Sequence, residues 1–326
     1  MTPRQRREFD DDGYTVIEDF FSAEELARLL GAVDEVAAQY RAETGASADE
    51  PFQCRNLLSR HDAFLDLVDH PRMLPLVVDA MGTDIQIRTS HLDYRPPYPE
   101  GLRVGAVGMS DGEDANFATG DRSKAPGRAG FNNVSWHPDL APQLLLPQKG
   151  GPAEGFLPFM ECKAFYPLFD MTASGCGNLW LAKGSHRRPK DDLAARTAAG
   201  QQPEEAVELR LPAGAAVLWR TAVWHCVGPQ TSDQIRKILH IGYHHRWLRP
   251  TDYLEQAPEL LARCSPVRRQ LLGALPEGRD PLGSHGNVDW APASKHWQPH
   301  EDDVPLRAEA QRWAAVAAAA AAAARL

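Results

Sequence analysis

The stretch 215-AAVLWRTAVWHCVGPQTSDQIRKILHIGY-243 decides the architecture. Ala215 to Trp224 and Ile235 to Tyr243 are rich in β-branched and aromatic residues, the composition of strands. Between them lies Gly228-Pro229-Gln230-Thr231-Ser232-Asp233, a dense turn signal. A hairpin centred between Gln230 and Thr231 is the expected connection. In that register His225 stands opposite Arg236, and opposed residues share a sheet face with Cβ atoms about 5 Å apart.

Upstream, Trp136-His137-Pro138-Asp139 offers an imidazole and a carboxylate two residues apart. On an extended strand, residues i and i+2 point to one face, so both can reach a single ion. His225 supplies a third ligand once its strand folds back beside the first. Two histidines and one carboxylate on one side of a metal, with the other side open, is the ligand set of non-haem Fe(II) oxygenases. Arg236 would then extend a planar fork into the same cavity. A buried fork calls for a carboxylate, and the tail of 2-oxoglutarate is one.

Other strands are predicted at Ile85 to Arg95, Phe159 to Phe169, Asn178 to Ala182, Val207 to Leu211 and Ala215 to Arg220. Helices gather towards the N-terminus: one ending at Asp12-Gly13, one opened by the capping box Ser22/Glu25, and a patch over Ala63 to Met81. This is a mainly β chain with flanking helices (α+β), a β-sandwich or jelly roll buttressed by helices. Residues 98–132 read as a long loop, a lid or a surface insertion. The segment Asp280 to His300 reads as irregular, and Ala317 to Ala324 as a frayed helix. One domain spanning 1–326 is expected, with its core at about 9–250 and a C-terminal helical or irregular extension over 251–326.

The chain has 326 residues and a formal net charge of −9, which argues against nucleic acid or an anionic membrane surface as partner. No apolar run approaches a membrane span, and no hydrophobic stretch follows the basic N-terminus as a signal peptide requires. Five scattered cysteines without a C-x-x-C pair favour free thiols in a reducing cytoplasm. Cys226 is expected to face away from His225, into the core. Trp136, Trp219 and Trp224 are read as packing that could also wall a substrate pocket. Ser185-His186 is read as a structural turn, because adjacent residues point apart. His240, His244 and His245 are read as core or solvated histidines.

Several stretches together resemble the phytanoyl-CoA dioxygenase family of Fe(II)/2-oxoglutarate oxygenases. They are Phe9-Asp10-Asp11-Asp12-Gly13-Tyr14 with Phe20-Phe21-Ser22, then Trp136-His137-Pro138-Asp139, and Gly177-Asn178-Leu179-Trp180 through Lys183-Gly184-Ser185-His186. Leu211-Pro212-Ala213-Gly214 leading to Trp224-His225 and Arg236 completes the set. The resemblance runs from Phe9 to about Trp247. It implies a double-stranded β-helix (a cupin-like jelly roll), iron on His137, Asp139 and His225, and the C5 carboxylate of 2-oxoglutarate on Arg236. Arg95, in Tyr94-Arg95-Pro96-Pro97, resembles a basic residue near the cosubstrate in some members. Val227 stands where members often carry serine, and Lys183 where they carry proline. Related halogenases replace the iron carboxylate with a small residue, so Asp139 implies hydroxylation of a small-molecule substrate by O2, releasing succinate and CO2. The rival readings are a catalytically inactive jelly-roll binding protein and a cupin-type metalloenzyme that does not use 2-oxoglutarate.

Overall fold

The computed structural model describes residues 1–97, 136–139, 159–188, 203–228, 230–274 and 304–323. The loop at 98–132 and the segment 280–300 lie outside these residues. The described chain groups into two compact units, residues 2–55 with 91–240, and residue 1 with 56–90 and 241–326. Strands β3 (Ile85–Arg95) and β9 (Arg236–His245) each run from one unit into the other.

The remaining strands are β1 (Tyr14–Ile17), β2 (Phe52–Arg55), β4 (Glu161–Pro167), β5 (Leu179–Ala182), β6 (Ala206–Glu208), β7 (Ala216–Arg220) and β8 (His225–Val227). They form a six-stranded sheet in the order β1-β7-β4-β9-β3-β2 and a three-stranded sheet in the order β6-β5-β8. Each pairing with a resolved register is antiparallel. Side chains from both sheets share one core: Phe165 of β4, Leu179 and Leu181 of β5, Val217 and Trp219 of β7, and Ile238 of β9. This two-sheet antiparallel sandwich is the expected jelly roll.

Strand periodicity sorts the large sheet into two faces. On β3, Tyr94 stacks on Phe52, which stacks on Tyr40 of the helix Ala23–Thr44, with the Arg41 guanidinium over the Tyr94 ring. Its neighbours Asp93 and Arg95 therefore point the other way, into the sandwich. The helix begins where the sequence signals it. Ser22 Oγ accepts from Glu25 N (3.1 Å), and Ser22 N donates to the Glu25 carboxylate (2.8 Å), a reciprocal capping box.

In the other unit, the helical patch expected over Ala63 to Met81 divides into Asp62–Leu65 and Leu74–Met81. Pro71 lies between the two, and proline disfavours the helical conformation at the residue before it. Tyr243 donates its hydroxyl to the carbonyls of Leu67 and Val68 in the connecting segment. A final helix, Pro305–Ala323, starts with Leu306 N donating to the buried Gln270 side chain. Among the described residues, no helix is long and apolar enough to cross a membrane.

The expected β8–β9 hairpin does not form. Strand β8 pairs with β5 in the small sheet, Leu181 facing His225, while β9 lies between β4 and β3 in the large one. The opposite edge of β8 is also taken, because His137 and His225 form an antiparallel bridge. With both edges of β8 engaged, no edge is left for β9. The turn instead carries the chain from one sheet to the other. Gly175 O accepts from both Thr231 N (2.7 Å) and Ser232 N (3.0 Å), and the buried Gln230 side chain donates to Gln234 O (2.5 Å).

Candidate active site

Backbone pairing brings the distant ligand candidates together. His137 N donates to His225 O and His225 N to His137 O, both at 3.0 Å, so the two residues are directly opposed. Asp139 N donates to Thr221 O at 2.9 Å and extends the pairing. Opposed residues share a face, and so do residues i and i+2. All three side chains are thus delivered to one point.

The Asp139 Oδ1 atom lies 3.7 Å from His137 Nε2 and 3.6 Å from His225 Nε2. One ligand atom from each of the three lies within 4.8 Å of the others. Adjacent ligands about 2.1 Å from one ion would be about 3 Å apart, so Asp139 is within 1 Å of coordination distance from either imidazole, and the two imidazoles close further on the ion. His225 Nδ1 sits 2.9 Å from the Val223 carbonyl. That contact places the proton on Nδ1 and leaves Nε2 as the free donor, the outer-shell arrangement of metal-bound histidines. Two imidazole nitrogen donors and one carboxylate fit a divalent iron ion.

Burial alone would raise the Asp139 pKa. The Lys163 ammonium, then His225 and His137, override it and hold the carboxyl well below its usual range. Lys163 Nζ donates to Asp139 Oδ2 at 2.5 Å and lies 5.7 Å from the centre of the Trp219 ring. Trp219 also meets the His225 ring edge-on, at 5.8 Å between centres. His240 packs against Trp219, Phe165 and His91. Burial, followed by the nearby cationic groups, pushes its pKa well down and keeps it neutral.

Arg236 opens β9 and is fully buried. Its Nε donates to Gly177 O (2.8 Å) and its Nη1 to Asp93 Oδ2. Arg95 Nε donates to the other Asp93 oxygen at 3.1 Å. One carboxylate thus faces two guanidiniums, leaving the trio with net positive charge. Burial would raise the Asp93 pKa, but Arg95 and then Arg236 hold it far below the normal range. Gly177 has φ of 66°, and a Cβ there would fall 2.6 Å from Arg236 Cδ. Only glycine admits this approach.

The stretches around the site act as supports. Asn178 donates to the carbonyls of Met171 and Leu209 and accepts from Cys176 N. Ser185 Oγ accepts from Trp224 N at 2.9 Å, anchoring the residue before His225. Trp136, Trp224 and Cys226 pack together in a small core. Asp93 and Lys163 escaped the sequence reading. Asp93 stands between inward-facing residues on an alternating strand, so its buried charge needed a partner, a signal that was there to use. Lys163 carries no comparable signal, since only the assembled fold shows which charge it meets.

The fold and side chains define a jelly roll whose interior gathers two imidazoles, a carboxylate and a guanidinium pair. The profile of the phytanoyl-CoA dioxygenase (PhyH) family matches residues 9–101 and 124–238. The chain belongs to that family. It is similar to the probable alpha-ketoglutarate-dependent hypophosphite dioxygenase of Stutzerimonas stutzeri, 31% identical over 109 residues, covering 30% of this chain and 38% of that protein. It also resembles the ectoine dioxygenase of Sphingopyxis alaskensis, 30% identical over 110 residues, covering 30% of this chain and 34% of that protein. The matched stretch thus spans little more than a third of these curated relatives. Among solved structures, HygX from Streptomyces hygroscopicus with nickel and 2-oxoglutarate aligns with a TM-score of 0.55 at 15% identity, over 81% of this chain and 94% of that one. EctD from S. alaskensis with 2-oxoglutarate and 5-hydroxyectoine aligns with a TM-score of 0.54 at 20% identity, over 81% and 84% of the two chains. At these identities the likeness is one of fold.

Proposed function

We propose that this protein is a non-haem Fe(II)- and 2-oxoglutarate-dependent dioxygenase that hydroxylates a C–H bond of a small-molecule substrate. The observation that carries the reading is the convergence of His137 Nε2, Asp139 Oδ1 and His225 Nε2 on one point. Family membership and the named activities of the similar proteins support the choice of cosubstrate.

In this reading His137, Asp139 and His225 hold the iron. Arg236, oriented by Gly177 O and Asp93, anchors the C5 carboxylate of 2-oxoglutarate, with Arg95 adding positive charge beside it. The bound iron and keto acid supply the activation of O2, with succinate and CO2 as coproducts. The protein's part is to fix the ligands and orient the diacid, with the buried Trp219 ring packed edge-on against His225. Asp139 fills the position that a halide would need, which favours hydroxylation over halogenation.

The chain works as one domain with a C-terminal extension. The net charge of −9 disfavours nucleic acid as partner, and five free cysteines favour a reducing cytoplasm. The test is anaerobic reconstitution with Fe(II), followed by measurement of 2-oxoglutarate-dependent succinate release under air. Succinate formation that requires both Fe(II) and 2-oxoglutarate is expected. A protein that binds Fe(II) but neither binds nor turns over 2-oxoglutarate would instead be a metalloenzyme of another kind.

A further inference from the structure

The tightest polar contact at the triad is not between its members. Lys163 projects from β4 in the large sheet, and its side chain is 7% exposed. Among the described residues its ammonium bonds to one atom, Asp139 Oδ2, and it rests against the Trp219 ring. The other oxygen, Oδ1, is the one near both imidazole nitrogens. The two carboxylate oxygens therefore have separate assignments.

We infer that Lys163 is a positioning residue that keeps Asp139 a one-oxygen metal ligand, trading metal affinity for room to bind the dianionic keto acid. This rests on the oxygenase reading above. If Oδ2 swung onto the ion, a buried ammonium would lose its partner, which is costly in a low-dielectric interior. Lys163 thus holds Oδ2 back, and a position on the metal stays available to the cosubstrate. The same positive charge repels a divalent ion and attracts a dianion. A residue that served only to hold the fold would affect both ligands in the same direction. Lys163 is expected to affect them in opposite directions.

The experiment uses the full chain, with Co(II) in place of Fe(II) to avoid oxidation. Co(II) affinity and then 2-oxoglutarate affinity of the Co(II)-loaded protein are measured by calorimetry, without turnover. In Lys163→Met, Co(II) binding should tighten at least severalfold; even fully water-screened repulsion between a unit charge and a divalent ion about 5 Å apart amounts to about tenfold. 2-Oxoglutarate binding should weaken by about tenfold. Lys163→Arg keeps charge and donors and should restore both values towards wild type. Should the methionine variant aggregate, Lys163→Gln serves instead: its amide removes the charge, so Co(II) tightens, but still donates to Oδ2, so 2-oxoglutarate binding falls less. Both affinities falling together, neither changing, or metal tightening with unaltered 2-oxoglutarate binding would overturn the inference. Wild-type protein that fails to bind 2-oxoglutarate at all would instead sink the oxygenase reading itself.

Discussion

Asp139 and Asp93 are both largely buried carboxylates, and neighbouring basic side chains hold the pKa of each well below the usual range. Their surroundings differ in access. The Asp139 side chain is 18% exposed and its partner His137 is 38% exposed, whereas Asp93 is 8% exposed and its partner Arg236 only 1%. The first cluster is the more exposed of the two among the described residues, with nitrogen donors near a shared point. The second is a buried ion triad in which each Asp93 oxygen accepts from a guanidinium. The same charge chemistry thus gives a ligand-ready site in one place and an internal brace in the other. Access separates them.

The largest effect should come from breaking the open cluster. Asp139→Ala removes the only carboxylate donor of the triad. Metal affinity should fall by more than about 100-fold, beyond the 10–100-fold typical of losing an outer-shell partner, and 2-oxoglutarate-dependent succinate release should vanish. Co(II) titration and a succinate assay read both. Full hydroxylation retained in this variant would remove Asp139 from the ligand set.

Stability should respond in the opposite order. Asp93→Asn leaves two buried guanidiniums without their counter-charge and should cost about 3–5 kcal/mol in urea unfolding. Asp139→Asn in metal-free protein should cost clearly less, because its surroundings admit water. Equal losses would show that the two clusters are equivalent braces. The acid limb sharpens the contrast. A carboxyl depressed in the folded state stabilises above its unfolded pKa of about 3.9, and that contribution is lost as pH falls below it. Asp93→Asn should therefore flatten the wild-type loss of stability below about pH 4.

A smaller change tests the anchor role of Arg236. Arg236→Ala would also strip Asp93 Oδ2 of its guanidinium, so Arg236→Lys is the cleaner variant, keeping the charge but losing the planar fork. The KM for 2-oxoglutarate should rise by about tenfold, equivalent to about 1.4 kcal/mol, with little change in metal affinity. An unchanged KM would assign Arg236 to the brace alone.

A last effect, seen only as a pH dependence, lies away from both clusters. Burial, then Arg88 and His245, lower the His244 pKa to about 3. The Gln86 amide, 3.3 Å from His244 Nε2, suits a neutral ring. A depressed histidine stabilises fully above its unfolded pKa of about 6.5 and loses that contribution as pH falls towards 3. The slope approaches 1.4 kcal/mol per pH unit at most. His244→Gln should flatten urea midpoints between pH 6.5 and 5, and a slope identical to wild type would point to another group.

Much of this was legible one residue at a time. The i, i+2 spacing of His137 and Asp139 reports a shared face because strand geometry is local. Ser22 and Glu25 announce a helix start because the capping bonds span three residues. Composition marked β7, β8 and β9 as strands but not which sheet each joins. Pairing depends on which edges are already filled, and β8 has β5 on one edge and the His137 bridge on the other.

From the order of residues alone came most of the strands, though not β2, the capped helix and the candidate residues His137, Asp139, His225 and Arg236. Only tertiary structure placed β8 and β9 in different sheets, paired Arg236 and Arg95 with Asp93, and set Lys163 on the far oxygen of Asp139. The first group follows from short-range backbone geometry. The second follows from strand edges already filled and from buried charges finding counter-charges, as Arg236 meets Asp93 across 143 residues and Lys163 meets Asp139 across 24.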